Sequence, residues 1–400
     1  MTDCAAPAVL SPTLTDYSAK TTLIVLSHLR WDFVTQRPQH LLSRAAREFD
    51  VVFIEEPIRV DDGEPRIESG TRDCGVRVVQ PMLPHGTNEA DAVDFQRMTL
   101  DTAVAAAPGR LILWLYTPMA LPFSRHVPAE LIVFDKMDEL SAFQNAPPML
   151  HALEQEMLEL ADVVFTGGAS MHEAAAHRHA NIHCFPSSID TAHFGKARAG
   201  IADPDDQAGI ARPRLGFFGV IDERFDIDLL GQVAALRPEW QFVMIGPVVK
   251  IDPASLPKAV NIHWLGGKGY ADLPAYLANW DIGWMPFAIN ESTRFISPTK
   301  TPEFLAAGLP VVSTAIRDVV RPYGEAGLVE IATTADETVT AVEMLLARPR
   351  ADWLARVDAQ LAQGSWDRTW ASMRARIEEI LTPPPPASDV SAPILETANV

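Results

Sequence analysis

Cysteine is scarce: Cys4, Cys74 and Cys184 are the three in 400 residues, an odd number without metal-ligand spacing. That excludes a disulfide framework and fits a reducing compartment. Basic residues are also few, 33 against 52 acidic ones, for a formal net charge of -19. A chain so acidic lacks the concentrated positive surface that nucleic-acid binding or polybasic membrane anchoring needs. No apolar run approaches a membrane span, and the opening MTDCAAPAVLSPTLTDYSAK has neither the basic nor the apolar region of a secretory leader, so a cytoplasmic location is expected. A GxGxxG fingerprint is missing as well, which disfavours a nicotinamide cofactor.

What remains is a chain with 48% hydrophobic and 21% charged residues, enough for two domains that each bury a core. Short apolar runs bounded by turn residues alternate with helical patterns. In the first half they fall at 23–26, 51–54, 76–79, 111–116, 131–134, 163–165 and 182–185. In the second they fall at 215–218, 242–245, 262–265, 282–285, 311–313 and 328–331. Such alternation predicts α/β architecture with two doubly wound, Rossmann-like domains, residues 20–195 and 212–381, facing across a cleft. The stretch 195–213 is rich in Ala, Gly, Asp and Pro and reads as the linker, and 382–400 reads as a proline-rich disordered tail. Ligands of such sheets sit beyond the carboxyl ends of the strands.

Those strand ends carry the candidate chemistry. Ser297 to Thr314, SPTKTPEFLAAGLPVVST, combines a cation with a helix start: Thr301 as N-cap, Pro302 as first helical residue, Gly308 as stop. Lys300 beside that helix start predicts an anion site, with a diphosphate as its guest. Glu303 alone would prove nothing, because first-turn acids commonly complement the helix dipole. After the first strand, SHLRWDFVTQRPQHLL brings His28, Trp31, Gln36 and Arg37 toward the cleft; capping of the following helix is an equal explanation for Gln36 and Arg37. FDKMDELSAF places Asp135 and Asp138 at a further strand end, either to orient a sugar hydroxyl or, for Asp138, to start a helix. RLGFFGVIDERFDIDLL supplies Gly219, where glycine allows close backbone approach, and Arg224, which can reach a phosphate. Asp226 and Asp228 have the spacing of a metal motif but read as first-turn acids. No metal site is expected.

Taken in order, WDFVTQRPQHL, FDKMDELSAF, LELADVVFTGGASMHE, FPSSIDTAHF, GVIDERFDIDLL and SPTKTPEFLAAGLPVVST resemble bacterial GT-B-fold glycosyltransferases of the retaining group with a Glu-x7-Glu region. The likeness extends from about Leu23 to Leu381. It implies an enzyme of exopolysaccharide or cell-envelope glycan assembly, with a nucleotide-sugar donor (UDP- or GDP-linked) rather than a cofactor. The implied acceptor is a glycan or lipid-linked molecule, with peripheral contact at the cytoplasmic membrane face. Glu303 takes the place of the motif's second Glu, which holds the nucleotide ribose. The first Glu falls at Phe295, with Glu291 and Thr293 nearby to compensate, and Thr299 adjoining the phosphate side. The family's basic residue after the first second-domain strand is replaced by Val220, leaving Arg224 and Lys300 for the phosphates, and Asp138 for the acceptor side. A GT-B epimerase and, because of Phe295, a noncatalytic sugar-nucleotide binder are the alternative readings.

Overall fold

A computed structural model describes residues 20–382 apart from residue 62, so the expected tail at 382–400 lies outside the described residues but for Thr382. Two sheets organise the chain. The first is nine-stranded, and Thr22–Ser27 runs in its centre between Asp50–Glu55 and Leu111–Leu115, all parallel. It continues through Leu131–Lys136, Val163–Thr166 and Ile182–Cys184. The central strand TLIVLS is buried throughout, as expected of parallel strands covered on both faces. The second sheet has six parallel strands, with Arg214–Phe218 and Ile282–Met285 adjacent at its centre. Each sheet is wound with helices, so the expected architecture is the one observed.

Two strands go beyond the sequence expectation: Ile58–Val60, and Arg66–Thr71, which pairs antiparallel with Arg77–Pro84. Both lie at the sheet edge and are largely exposed, so neither carries the apolar run that marks a buried strand.

The domain limits also differ from those expected. Phe194 and Ala197 are buried in the second domain's core, together with Ile189. The linker is not loose. Gln207 is fully buried, donates to Asp203 (2.7 Å) and accepts from the Trp280 indole (2.7 Å), while Arg198 donates to the carbonyl of Ala306 (2.7 Å). At the other end, the helix Trp366–Leu381 crosses back: Trp366, Trp370, Met373 and Ile377 join the core of the first domain beside Trp114 and Phe165. Arg44 fixes it there through Asp367 (2.9 Å).

Candidate functional site between the two domains

Strand Arg214–Phe218 ends at Gly219, whose N–H still donates to Ile245 at 2.9 Å, extending the ladder one step. Gly219 has φ +141° and Gly246, at the end of the neighbouring strand, φ +147°. Only glycine suits both places: a methyl on Gly246 would collide with the Gly219 carbonyl, and one on Gly219 would collide with Cε of Lys300. The bare backbone at Gly219 is therefore what lets the Lys300 chain lie across the strand end, with its ammonium 5.9 Å from the Phe217 ring centre.

Lys300 opens the helix Lys300–Ala306. The helix begins two residues earlier than expected, with Thr299 rather than Thr301 before it and Pro302 third. Gly308, at φ +80°, ends it as expected. Its early amides are already used: Thr301 donates to Pro298 (3.3 Å) and Glu303 to Thr299 (3.2 Å). Positive charge at this place thus comes from the Lys300 side chain and not from an open array of helix amides. Surrounding protein desolvates that ammonium and lowers its pKa, while Glu303, Asp222 and Asp138 act in the opposite sense.

Arg224 supplies a second cation. Asp222, buried at 2% exposure, takes its Nε (3.0 Å) and Nη2 (2.7 Å) in a two-pronged bond. That leaves Nη1 turned toward Asp138 of the first domain, 4.0 Å away. The guanidinium also lies over the Phe143 ring at 5.1 Å, and Lys250 reaches the same ring at 4.7 Å. Phe143 belongs to the first domain and both cations to the second, so the cleft is bridged here by cation–π contact. Gln144 reinforces the bridge, its N–H donating to Glu223 at 2.8 Å.

Glu303 is 6% exposed, and burial pushes its carboxyl up to about 7 against the opposing pull of Lys300 and of a hydrogen bond from Thr299. Close by, Tyr270 stacks on His193 with ring centres 4.3 Å apart, and its buried hydroxyl has no partner among the described residues. His28 completes the first-domain wall. Burial lowers its pKa to about 4, so the ring is neutral at pH 7, and its Nδ1 lacks a partner among the described residues.

The structure thus brings Asp138, Arg224, Lys300, Glu303, Thr299, Gly219 and His28 to one cleft. Other candidates are placed elsewhere. Arg37 and Asp135, 3% and 0% exposed, satisfy each other: Nε lies 3.1 Å from both carboxylate oxygens, and Nη1 donates to the Phe185 carbonyl at 2.7 Å. No polar atom of that pair is left for a substrate, and its role is structural. Trp31 packs edge-on against Phe53 (5.1 Å) within the first core while its N–H donates to Glu55 (2.8 Å), so it too is a core residue. Gln36 stands at the start of helix Arg37–Ala45, its N–H taken by the Gln39 side chain (2.9 Å). Thr293 is spent on a cap, donating to Ala288 (2.6 Å) and accepting from Asn290 (3.0 Å). Glu291 faces solvent beside Arg294 (3.5 Å). Neither of these two stands in for the glutamate replaced by Phe295. Asp226 caps helix Ile227–Leu236 by accepting from Leu229 (2.8 Å), as its first-turn reading predicts.

Sequence reasoning missed Asp222, Lys250, Phe143 and Gly246. Gly246 had a signal, since it follows its strand just as Gly219 does. The others become meaningful only when the domains meet.

The family described as Glycosyl transferases group 1 matches residues 212–348. The second domain belongs to the group 1 glycosyl transferases. Sequence relatives point the same way: TuaH of Bacillus subtilis (strain 168), named as a teichuronic acid biosynthesis glycosyltransferase, is 34% identical over 103 residues. That match spans 25% of this chain and 26% of TuaH, about a quarter of each. In shape the whole glycosyl transferase chain resembles sucrose-phosphate synthase of Thermosynechococcus elongatus, at TM-score 0.68 and 14% identity over 90% of this chain and 99% of that one. It also resembles HepE of Anabaena, solved in complex with UDP, at TM-score 0.64 and 12% identity over 90% and 100%. A third is the UDP-forming trehalose-phosphate synthase of Burkholderia xenovorans in complex with glucose-6-phosphate, at 0.65 and 13% over 90% and 100%. The fold is therefore GT-B, with the glycosyl transferase domain carrying Arg224, Lys300 and Glu303. Among the described residues no helix is long and apolar enough to cross a membrane.

Proposed function

We propose that the protein transfers a sugar from a nucleoside diphosphate sugar to a glycan or lipid-linked acceptor in cell-envelope polysaccharide assembly, with retention of anomeric configuration. One observation carries this reading: Lys300 and the Asp222-oriented Arg224 converge beyond the central strand ends of a group 1 glycosyl transferase domain, with the buried carboxyl of Glu303 one helical turn from Lys300. When the bond from the anomeric carbon to the diphosphate breaks, negative charge grows on the leaving oxygens. Fixed cations there stabilise the transition state more than the ground state. Asp138, across the cleft from Arg224, is placed to hold an acceptor hydroxyl. Retention follows from front-face attack, in which the leaving phosphate takes the acceptor proton and no protein nucleophile is needed. A calorimetric screen of UDP- and GDP-sugars, followed by NMR of the product formed with oligosaccharide acceptors, tests the reading. Binding without transfer would point to the noncatalytic alternative, and an inverted product would remove retention.

Glu303→Ala is expected to weaken nucleoside diphosphate binding by about 1.5 to 3 kcal/mol, the size of a hydrogen bond to a charged group. Since burial raises the carboxyl to about 7, ribose binding through the ionised form should strengthen as pH rises through that value. The unliganded protein responds oppositely. Its folded-state value lies above the ordinary 4.5, so Glu303 contributes stability fully below 4.5 and loses it as pH rises through about 7. Glu303→Gln should then melt higher than the parent at pH 8 while binding nucleotide less tightly. Equal affinity in a folded Glu303→Ala protein would end the ribose assignment.

Activity is also expected to survive a chelator, because Arg224 and Lys300 already meet the leaving charge. Complete loss in EDTA with recovery in manganese or magnesium would show that a divalent ion shares that task.

A further inference from the structure

On the first-domain side, a recess of about 320 Å³ opens where strands Thr22–Ser27, Asp50–Glu55 and Leu111–Leu115 end. Ser27, Glu55, Glu56, Gln96 and Thr117 give it polar groups and Phe123 an aromatic wall. Glu55 is committed: it accepts from Trp31 (2.8 Å), Gln80 (3.1 Å) and Arg30 (3.3 Å). Glu56 is not, and its carboxyl has no hydrogen-bond partner among the described residues. The recess belongs to the cleft, because Lys250 of the second domain acts on both Glu56 and His28.

Charge sets what this recess can hold. Its lining contains two carboxyl groups and no cation. Arg30, the nearest first-domain guanidinium, is spent on Glu55 and on the carbonyls of Glu56 and Pro57, the last at 3.0 Å. Lys250 is held over the Phe143 ring. Burial raises the proton affinity of Glu56, so it meets a ligand either as a carboxylate or as a neutral acid. Neither form attracts an anion. Both suit sugar hydroxyls, and an apolar ring face suits the sugar's C–H side.

We propose that this recess is the acceptor subsite and that it takes an uncharged sugar end, held through Glu56 and Gln96, in preference to a sugar phosphate or uronic acid. The assignment of an acceptor rests on the transferase reading above; the preference for a neutral sugar rests on the lining alone.

Saturation-transfer NMR on the full chain tests it, with methyl glucoside, methyl galactoside and methyl N-acetylglucosaminide against glucose 6-phosphate and glucuronate. UDP and GDP are titrated into the same samples by calorimetry. At least one neutral glycoside is expected to bind, with the charged sugars weaker by roughly tenfold or more because like charges oppose them. Met119→Trp, which fills the rim, should abolish the signal without changing nucleotide affinity. Glu56→Gln should weaken the neutral glycoside and narrow its advantage over glucose 6-phosphate; it keeps the shape and serves if the tryptophan variant does not melt cooperatively. The proposal is overturned by equal or tighter binding of the charged sugars, by glycoside binding that neither variant alters, or by the absence of glycoside binding while UDP or GDP still binds. Glycoside binding with no affinity for either nucleotide would instead leave the recess standing and remove the donor reading.

Discussion

Lys300→Ala is expected to lower turnover by about two to three orders of magnitude, the usual effect of deleting one group that faces charge developing in a transition state. Folding should hardly suffer. Desolvation already disfavours the ammonium, as its lowered pKa shows, so removing it relieves a cost while leaving the Lys300–Ala306 helix and its glycine stop intact. Gly219 would face a space in place of the lysine stem, and Glu303 would lose the neighbour that opposes its protonation. The variant should therefore melt cooperatively, bind nucleoside diphosphate only modestly less well, and fail in the chemical step. Single-turnover kinetics with the screened donor separates these terms. Parent-like rates would remove Lys300 from the mechanism, and loss of the cooperative melt would make it a structural residue.

Breaking the Arg37–Asp135 pair should have the largest effect on stability, about 3 to 5 kcal/mol, since either truncation leaves the other charge buried without its partner. Asp135 is fully buried, and burial raises its pKa while Arg37 pulls it back. Denaturant unfolding of Arg37→Ala, Asp135→Ala and the double variant measures this. The double variant should be less destabilised than the two single changes summed. Additive losses, or a loss below ~1 kcal/mol in a single variant, would show that the pair is not what holds these helices and strands in place. A fall in acceptor use without a fall in stability would return Arg37 and Asp135 to the substrate side.

The strands were legible because buried parallel strands must be written as short, uninterrupted apolar runs; Val311–Ser313 and Ile282–Met285 match their expected limits without adjustment. Exposed Arg66–Thr71 carried no such mark. The linker misled for a different reason. Its Gln, Asp and Arg side chains look solvated in sequence but are used internally, as Gln207 between Asp203, Tyr276 and Trp280 shows. In the site, Lys300, Glu303 and Gly219 could be read from local strand, turn and helix chemistry. Arg37 and Asp135 could not, because 98 residues separate two groups that each look free for a ligand. The bridge from Phe143 to Arg224 and Lys250 is likewise a product of tertiary approach.

The return of Trp366–Leu381 to the first core makes the second domain an insert within the first. During synthesis the insert is complete before its host: the first sheet emerges early, yet Trp114 and Phe165 wait uncovered until Trp370 and Met373 leave the ribosome. The host's helix-facing surface is thus the part of the nascent chain most exposed to aggregation. A stop codon just before Trp366 would spare the glycosyl transferase domain's own core and still leave the protein unable to close its first domain. For the same reason, the first domain is to be expressed as two fragments that must find each other, not as one amino-terminal piece.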